Sequence, residues 1–466
     1  MFIEYTKTVQ RDFRFLMMAG ICFLGTAVAP APSMSLDLIR AWEYALQHDD
    51  AYLAEVADLE AQKKGAWKAV ADLGPRLDGS IGLSRKRDWM RSDIAPGSVE
   101  DEDTATDDLT RSAWYDEQVL ALSLLQPLFD MKRINAAKKA SLERDQVDVR
   151  LEKALEELIV KVATQYFAIL DAKDALALAI AERKTLAEQV VFAKERRMAG
   201  MGTVLDLFDT EARYHLAQAK ELEMKAALSD SWRGLWTTIG RADLNITPLK
   251  KELPPFHRDY DHVEKWIQTG MGANSDLNIR RIEKEVFDYE RKIANSNHFP
   301  IISLVADHTY TQTSDGLSGY GVDEKEYRYG VRASMPLFRS GETLLLGAQA
   351  GKKVIAAQKR LDLQLKHLDQ ELHSAHASMN TLYDTILAYR DAVAAGKNAL
   401  EGKKVGYREG VSTSLDVLDA QRDYYRELHE YHKTRYRYIL SVLNFKKLAG
   451  VLAPSDLEWI NSQLGE

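Results

Sequence analysis

The chain has 466 residues, 45% of them hydrophobic and 28% charged, enough to bury a sizeable core and too balanced for a disordered or collagenous protein. Its formal charge of −8 argues against a nucleic-acid partner, because phosphate binding needs a basic surface. An acidic surface or lumen favours cationic traffic instead.

Residues 1–35 read as a cleaved secretory signal. Lys7, Arg11 and Arg14 make a positive start, Phe15 to Val28 an apolar stretch, and the small residues from Ala27 to Ser35 offer a cleavage site. Pro30 and Pro32 spoil the sites after Ala29 and Ala31, which leaves the cut open. The apolar run of about 14 residues falls short of the ~20 that span a bilayer; a short anchor is the rival reading. Cys22 is the only cysteine and lies inside this segment, so the mature chain is expected to have no disulfide framework. Lipid attachment at Cys22 fits poorly, since Ile21 stands where a small residue belongs. No later stretch reaches about 18 consecutive apolar residues. An exported chain of this kind is periplasmic, secreted or a β-barrel, whose alternating strands look only half apolar.

Residues 36–73 have helical spacing and end at Pro75, which removes a donor and disfavours helix in the residue before it. Leu77, Gly79, Ile81 and Leu83 then alternate with Asp78, Ser80, Gly82 and Ser84, the period of a half-exposed strand. The acidic stretch Asp93 to Asp108 reads as an exposed loop. A returning strand follows, with Leu120, Leu122 and Leu124 on one face. Residues 131–199 carry a heptad seam (Leu151, Leu155, Leu158, Val162, Gln165, Ile169, Ala172, Leu176, Ala179, Leu186, Val190) and predict a helix of ~100 Å. A turn and a further helix over 203–240 complete the unit.

The same order then recurs. Gln126-Pro127-Leu128-Phe129 returns as Met335-Pro336-Leu337-Phe338, Gly200 to Asp209 as Gly410 to Asp419, and Ile239-Gly240 as Ala449-Gly450, each roughly 210 residues later. Pro75 and Pro300 form a further pair. The period is that of a duplicated domain: 36–245 is the first repeat, 246–273 a Pro-rich linker or equatorial segment, 274–450 the second repeat and 451–466 a C-terminal tail. In the second repeat Tyr327, Tyr329, Val331, Ala333 and Met335 alternate with Arg328, Gly330, Arg332 and Ser334. Leu365, Leu368, Leu372, Ala375, Met379, Leu382, Ile386, Tyr389 and Val393 continue a seam. Trp89, Trp114, Tyr115, Tyr310, Tyr320 and Tyr327 sit near the outer strand ends, where amphipathic rings suit a headgroup zone, although a soluble sandwich would also pack them. One protomer supplies four strands, and lipid does not tolerate an open sheet edge. If the strands span a membrane, three copies closing a twelve-stranded barrel are expected.

This layout resembles the TolC family of outer-membrane efflux and type I secretion ducts across residues 36–460. The features carrying the likeness are the turns Gly200–Asp206 and Gly410–Asp416, both Gly-x-x-Thr-x-Leu-Asp, and the strand–helix junction prolines Pro75, Pro127, Pro300 and Pro336. The resemblance implies a mainly α fold: a long α-helical barrel continuous with a transmembrane β-barrel built by a homotrimer in the outer membrane, with the helical part in the periplasm. It implies docking of a periplasmic adaptor on Gly200, Met201, Thr203, Gly410, Val411 and Thr413, and a partner transporter in the inner membrane. It also implies a periplasmic gate of Asp416 and Asp419, with Tyr407 holding the neighbouring turn through Asp206. Ser412 stands where efflux members often carry an arginine, which points to a differently balanced gate. The plainer reading of the two turns is that Gly caps one helix and Thr the next.

Other chemistry is sparse. His373 with His376, and His429 with His432, have spacing that shares a helical face, but no third metal ligand is placed, and both pairs read as exposed helix surface. No nucleotide loop, Gly-x-Ser-x-Gly elbow or His-Glu-x-x-His motif occurs. No cofactor and no enzymatic role are therefore expected, and any energy must come from a partner. The alternative to a passive exit duct is a soluble periplasmic coiled-coil scaffold without channel activity.

Overall fold

The computed structural model describes residues 35–92, 109–242, 245–250, 262–315 and 319–465. The signal segment with Cys22, the acidic loop Asp93 to Asp108 and the prolines Pro254 and Pro255 lie outside the described residues. The first repeat comprises β1 (Ser35–Leu36), α1 (Leu38–His48), α2 (Asp50–Ala71), β2 (Arg76–Ser92), β3 (Leu109–Phe129), α3 (Met131–Met198) and α4 (Val204–Ile239). After β4 (Asn245–Ile246) and α5 (Val263–Ala273), the second repeat follows as α6 (Ser275–Asn295), β5 (Ile301–Thr313), β6 (Val322–Ser334), α7 (Glu342–Arg408) and α8 (Ser414–Leu448). A short α9 (Pro454–Ser462) ends the chain. The protein is thus mainly helical with one four-stranded sheet.

The long helices behave as their seams require. α3 has 68 residues and α7 has 67, each ~100 Å at 1.5 Å per residue. α3 runs antiparallel to α2 and α6 in its first half, where Lys63 reaches Asp148 and Lys139 reaches Glu290. In its second half it runs antiparallel to α4 and α8, where Arg183 meets Glu221 and Gln189 meets Gln421. α7 likewise runs beside α6 and then α8. One continuous helix beside two stacked ones is therefore built twice.

One expectation is corrected here. Residues 36–73 do not form a single helix, because the chain breaks at Asp49. This residue is extended (φ −76°, ψ 99°), and its carboxylate accepts from the amides of Ala51 and Tyr52. It is buried and paired with Lys161 of α3. A buried carboxylate needs such partners, and here they double as the N-cap of α2.

The core sits where the two stacked helices of the first repeat meet. Leu38, Ala41 and Ala45 of α1 pack with Leu158, Val162, Tyr166, Phe167 and Ile169 of α3. Leu235 and Ile239 of α4, Ile439 and Phe445 of α8, and Leu457 and Ile460 of α9 join the same cluster. Phe167 stacks on Tyr436 with ring centroids 5.6 Å apart. The Tyr166 hydroxyl donates to the Thr247 carbonyl at 2.8 Å, which ties the β1–β4 pair to α3. The segment expected as a linker thus contributes α5 to a girdle at this level, and the expected tail contributes α9.

Glu156 of α3 is 9% exposed and accepts from the Ser275 hydroxyl at 3.2 Å. Burial pushes its carboxyl up to about 7, against which the Ser275 hydrogen bond works only partly. The folded state therefore holds a proton more tightly than the unfolded chain, whose carboxyl titrates at the ordinary 4.5. Stability then falls as pH rises from about 4.5 to about 7 and stays reduced above that window. Glu156→Gln is expected to stabilise by ~2 kcal/mol at pH 8 and by almost nothing at pH 4.5. Urea unfolding in detergent at the two pH values checks this, and an equal gain at both would remove Glu156 as the titrating group.

The sheet has the order β2–β3–β5–β6, antiparallel throughout. Pro75 and Pro300 each precede a strand by one residue and Pro336 follows β6. Pro127 lies inside β3, beside a register irregularity between Pro127 and Phe129. β2 and β6 are the outer strands, and neither has a second neighbour among the described residues.

Candidate functional site: the paired turns and their carboxylates

At the end remote from the sheet, each long helix reverses through the same two devices. α3 closes on Gly200 in the left-handed region (φ 72°), with the amide of Met201 donating to the Arg196 carbonyl at 2.9 Å. α7 closes identically on Gly410 (φ 77°), with Val411 donating to Gly406 at 2.8 Å. These are Schellman ends, in which glycine avoids the Cβ penalty of positive φ. The following helices then begin with capping boxes. The Thr203 hydroxyl accepts from the Asp206 amide at 3.1 Å, and the Asp206 carboxylate accepts from the Thr203 amide at 3.4 Å. At the second turn the Asp416 carboxylate accepts from both the amide and the hydroxyl of Thr413 at 2.8 Å. The motif Gly-x-x-Thr-x-Leu-Asp is therefore a complete C-cap and N-cap in seven positions.

The caps leave the apolar residues between them in solvent. Met201 is 67% exposed, Leu205 77% and Val411 85%. Exposed apolar side chains grouped at one end of a molecule are characteristic of a contact surface.

The predicted gate residues lie close behind the turns, but their carboxylates are already engaged within the chain. Asp416 is held below the usual carboxylate range, chiefly by the Thr413 amide and then by the Thr413 hydroxyl and Lys403. Lys403 of α7 stands 3.4 Å away. Asp419 pairs with Arg213 of α4 at 3.3 Å and with Arg422, one turn on, at 3.7 Å. Tyr407 packs edge-on against Phe192 at 5.5 Å, with the Arg196 guanidinium 5.3 Å from its ring. Within one protomer Asp206 serves its own cap, and Tyr407 is engaged by α3. Gly406 lies against Ser412: a Cβ there would come within 2.5 Å of the Ser412 hydroxyl oxygen.

Arg213, Lys403, Phe192 and Arg196 were not singled out from sequence. Arg422 is legible as the i+3 partner of Asp419. Arg213 lies on another helix, and only the register of α4 against α8 brings it to Asp419.

The histidines divide differently from expectation. His373 is half-exposed, 4.0 Å from Asp369. His429 and His432, expected on open surface, face α3 instead. His432 stands 3.6 Å from Asp174, whose carboxylate also accepts from the Tyr436 hydroxyl at 2.6 Å. α8 presents this face to α3 because Tyr436, one turn beyond His432, is part of the core. Among the described residues, no group of three or more His, Cys, Asp or Glu side chains is arranged to hold a metal ion. No described helix is long and apolar enough to cross a membrane.

The sequence matches the family described as "Outer membrane efflux protein" over residues 42–241 and 266–451, taking in both repeats and both turns. The chain belongs to this family. Among its relatives, "Outer membrane protein TolC" of Vibrio cholerae is 26% identical over 420 residues, covering 90% of this chain and 92% of that one. "Alkaline protease secretion protein AprF" of Pseudomonas aeruginosa is 27% identical over 431 residues, covering 92% and 87%. Of solved structures, the Campylobacter jejuni CmeC outer membrane channel superposes with a TM-score of 0.73 at 14% identity, covering 96% of this chain and 98% of that one. The open Neisseria gonorrhoeae MtrE outer membrane channel gives 0.69 at 20% identity, covering 92% and 94%. At such identities the structural likeness establishes the fold, which is that of a duplicated TolC-like channel subunit. The resemblance read from the turns and prolines is thereby shown.

Proposed function

We propose that the protein is the outer-membrane exit duct of a tripartite efflux pump or type I secretion system, working as a homotrimer. One observation carries the reading. The four-stranded sheet has exposed aliphatic and aromatic residues along one face, including Leu77, Ile81, Leu83, Tyr329 and Val331, and both of its edges are open. Lipid accepts such a face but not an unpaired strand edge. Three copies joined edge to edge give twelve strands, an even number compatible with a closed barrel. The stacked helices below continue the wall as a tunnel into the periplasm.

In this reading the exposed turns around Met201 and Val411 receive the adaptor, which couples the duct to an inner-membrane transporter. Asp416 and Asp419 of three copies ring the periplasmic mouth, and opening realigns α4 and α8 in the manner of an iris. Cargo then diffuses through without chemistry in the duct. The names of relatives span both efflux and protease secretion, and the geometry of the turns serves either.

The test is direct. The purified protein is expected to be trimeric in detergent and to conduct ions in a planar bilayer. Multivalent cations added on the periplasmic side should block it, and Asp416→Asn with Asp419→Asn should weaken that block about tenfold or more. A soluble monomer released by osmotic shock would establish the scaffold alternative. Unchanged block in the double variant would take the two carboxylates out of the mouth.

A further inference from the structure

Above the girdle, α3 and α7 hold the same place in the two repeats but have different neighbours. α3 packs on both α2 and α6, whereas α7 packs on α6. α6 sits between the two long helices, and its Glu290 faces Lys139 of α3 at 2.9 Å and Lys353 of α7 at 3.9 Å. Its counterpart α2 rests on α3. One flank of α2 and one flank of α7 are therefore uncovered among the described residues.

The duplication indicates what fits those flanks. Gly200 with Gly410 aligns α3 with α7 at an offset of 210 residues, and the helix caps Asp49 and Asn274 align α2 with α6 at 225. Pro75 with Pro300 keeps the second offset to the far end of the pair. Within the chain α3 meets the α6 segment through Asn135 with Ser296 at 3.0 Å, Lys139 with Glu290, Lys153 with Asp276 at 2.7 Å and Glu156 with Ser275 at 3.2 Å. All of these residues are buried or half-buried. Carried over by the two offsets, the pairs become Leu345 with Ala71, Gln349 with Gly65, Leu363 with Ala51 and Lys366 with Asp50, the first of each on α7 and the second on α2. All of these are exposed. The same positions are thus covered where the two repeats meet and bare where a repeat has no neighbour.

The bare positions are also complementary. Leu345 is 71% exposed and Leu363 55%, and they correspond to alanines across the contact; large against small is how facing helices interdigitate. Lys366 and Asp50 carry opposite charges at corresponding positions, and neither has an ion pair within its own chain among the described residues. Asp362, one turn before Lys366, is already taken by Gln358 and Lys359. A head-to-tail contact between unlike surfaces, repeated from copy to copy, closes into a ring when its rotation divides the circle.

We infer that α7 of one copy packs along α2 of the next as α3 packs along α6, with Leu345 and Leu363 seated on the neighbour's Ala71 and Ala51 and Lys366 paired with the neighbour's Asp50. The inference rests on the homotrimer reading above and fixes which surfaces of the copies meet and in what register.

The test uses the full protein in mild detergent. Lys366→Cys with Asp50→Cys should let a short bis-maleimide join copies into covalent dimers and trimers. Leu345→Cys with Asp50→Cys should not, because the two positions then stand ~30 Å apart along the helices. Each cysteine alone supplies the background, that of Cys22 included. Lys366→Glu should raise the monomer fraction about tenfold in a detergent titration, since three weak surface pairs are lost at once. The exchange Lys366→Glu with Asp50→Lys should restore trimers. Trimers that do not link through positions 366 and 50 overturn the register and leave the duct reading standing. An exchange as dissociated as Lys366→Glu alone overturns the ion pair. If Lys366→Glu does not fold, the linking experiment decides alone. Unaltered protein that is monomeric throughout refutes the homotrimer itself, and this contact with it.

Discussion

Gly450→Ala is expected to destabilise the fold by more than ~3 kcal/mol, several times the effect of the same change at Gly410. Both residues end a long helix with positive φ, 66° and 77° respectively, so both variants pay the left-handed penalty of about 1 kcal/mol. What separates them is space. A Cβ on Gly450 would lie 2.4 Å from the Ala273 carbonyl carbon and 2.6 Å from the Asn274 amide nitrogen, whereas one on Gly410 meets nothing within 4 Å. Those neighbours are backbone at the start of α6 and have little freedom to retreat. Asn274 caps α6 by accepting from the Leu277 amide at 2.9 Å, and its side-chain amide donates to the Leu448 carbonyl at 2.9 Å. The end of α8 and the start of α6 are thus bolted together through the position where the methyl would go. Gly240, the counterpart in the first repeat, has its nearest neighbours in the His48 side chain at 2.7 Å, and a side chain can turn away. The expected order of loss is Gly450→Ala, then Gly240→Ala, then Gly410→Ala, read from denaturant midpoints in detergent. Equal losses at 450 and 410 would mean that the girdle yields to the methyl.

That comparison also marks what was legible in the sequence. The helix expected over 131–199 is α3 to within one residue, because heptad spacing and the absence of proline are local signals. The turns were read correctly as caps for the same reason: every atom of a Schellman end and a capping box lies within a few residues of the glycine. The break at Asp49 was missed, although the pair Asp49-Asp50 is an N-cap cue. The apolar spacing on either side continues through it, and the choice is made by Lys161, more than a hundred residues away. Tyr166 and Phe167 lie beside the seam rather than on it. They are fully buried because α1, α8 and the β1–β4 pair cover a second face of α3 at that level, a contact no single-helix pattern contains. The histidines at 429 and 432 were misplaced on the same ground. At the candidate gate the carboxylates were visible and the cations on neighbouring helices were not, since Arg213 reaches Asp419 only through the relative register of two helices.

Those cations set the second large effect. Arg213→Glu is expected to raise the open fraction of the periplasmic mouth about a hundredfold, if three copies surround it as proposed. Arg213 and Asp419 are partly exposed, with side chains 29% and 42% accessible. One such pair contributes little alone, about 0.2–1 kcal/mol, and replacing it with like charges adds a similar penalty. The change per protomer is therefore ~1 kcal/mol, too small to notice in a monomer's stability. In a closed ring, however, α4 is held against α8 in all three copies, and opening is resisted by their sum of ~3 kcal/mol, a factor of about a hundred. Open probability in planar bilayers measures it. Arg213→Lys should retain most of the closure, since the charge survives while the guanidinium geometry is lost. The exchange Arg213→Glu with Asp419→Arg should restore closure, because it returns opposite charges to the same two helices, whereas a purely structural role for Arg213 would leave the exchange as open as the single variant. A single variant that stays as closed as the unaltered protein would show that the α4–α8 ion pair does not hold the mouth, and closure would then rest on contacts such as Phe192 with Tyr407, which the charge reversal does not touch.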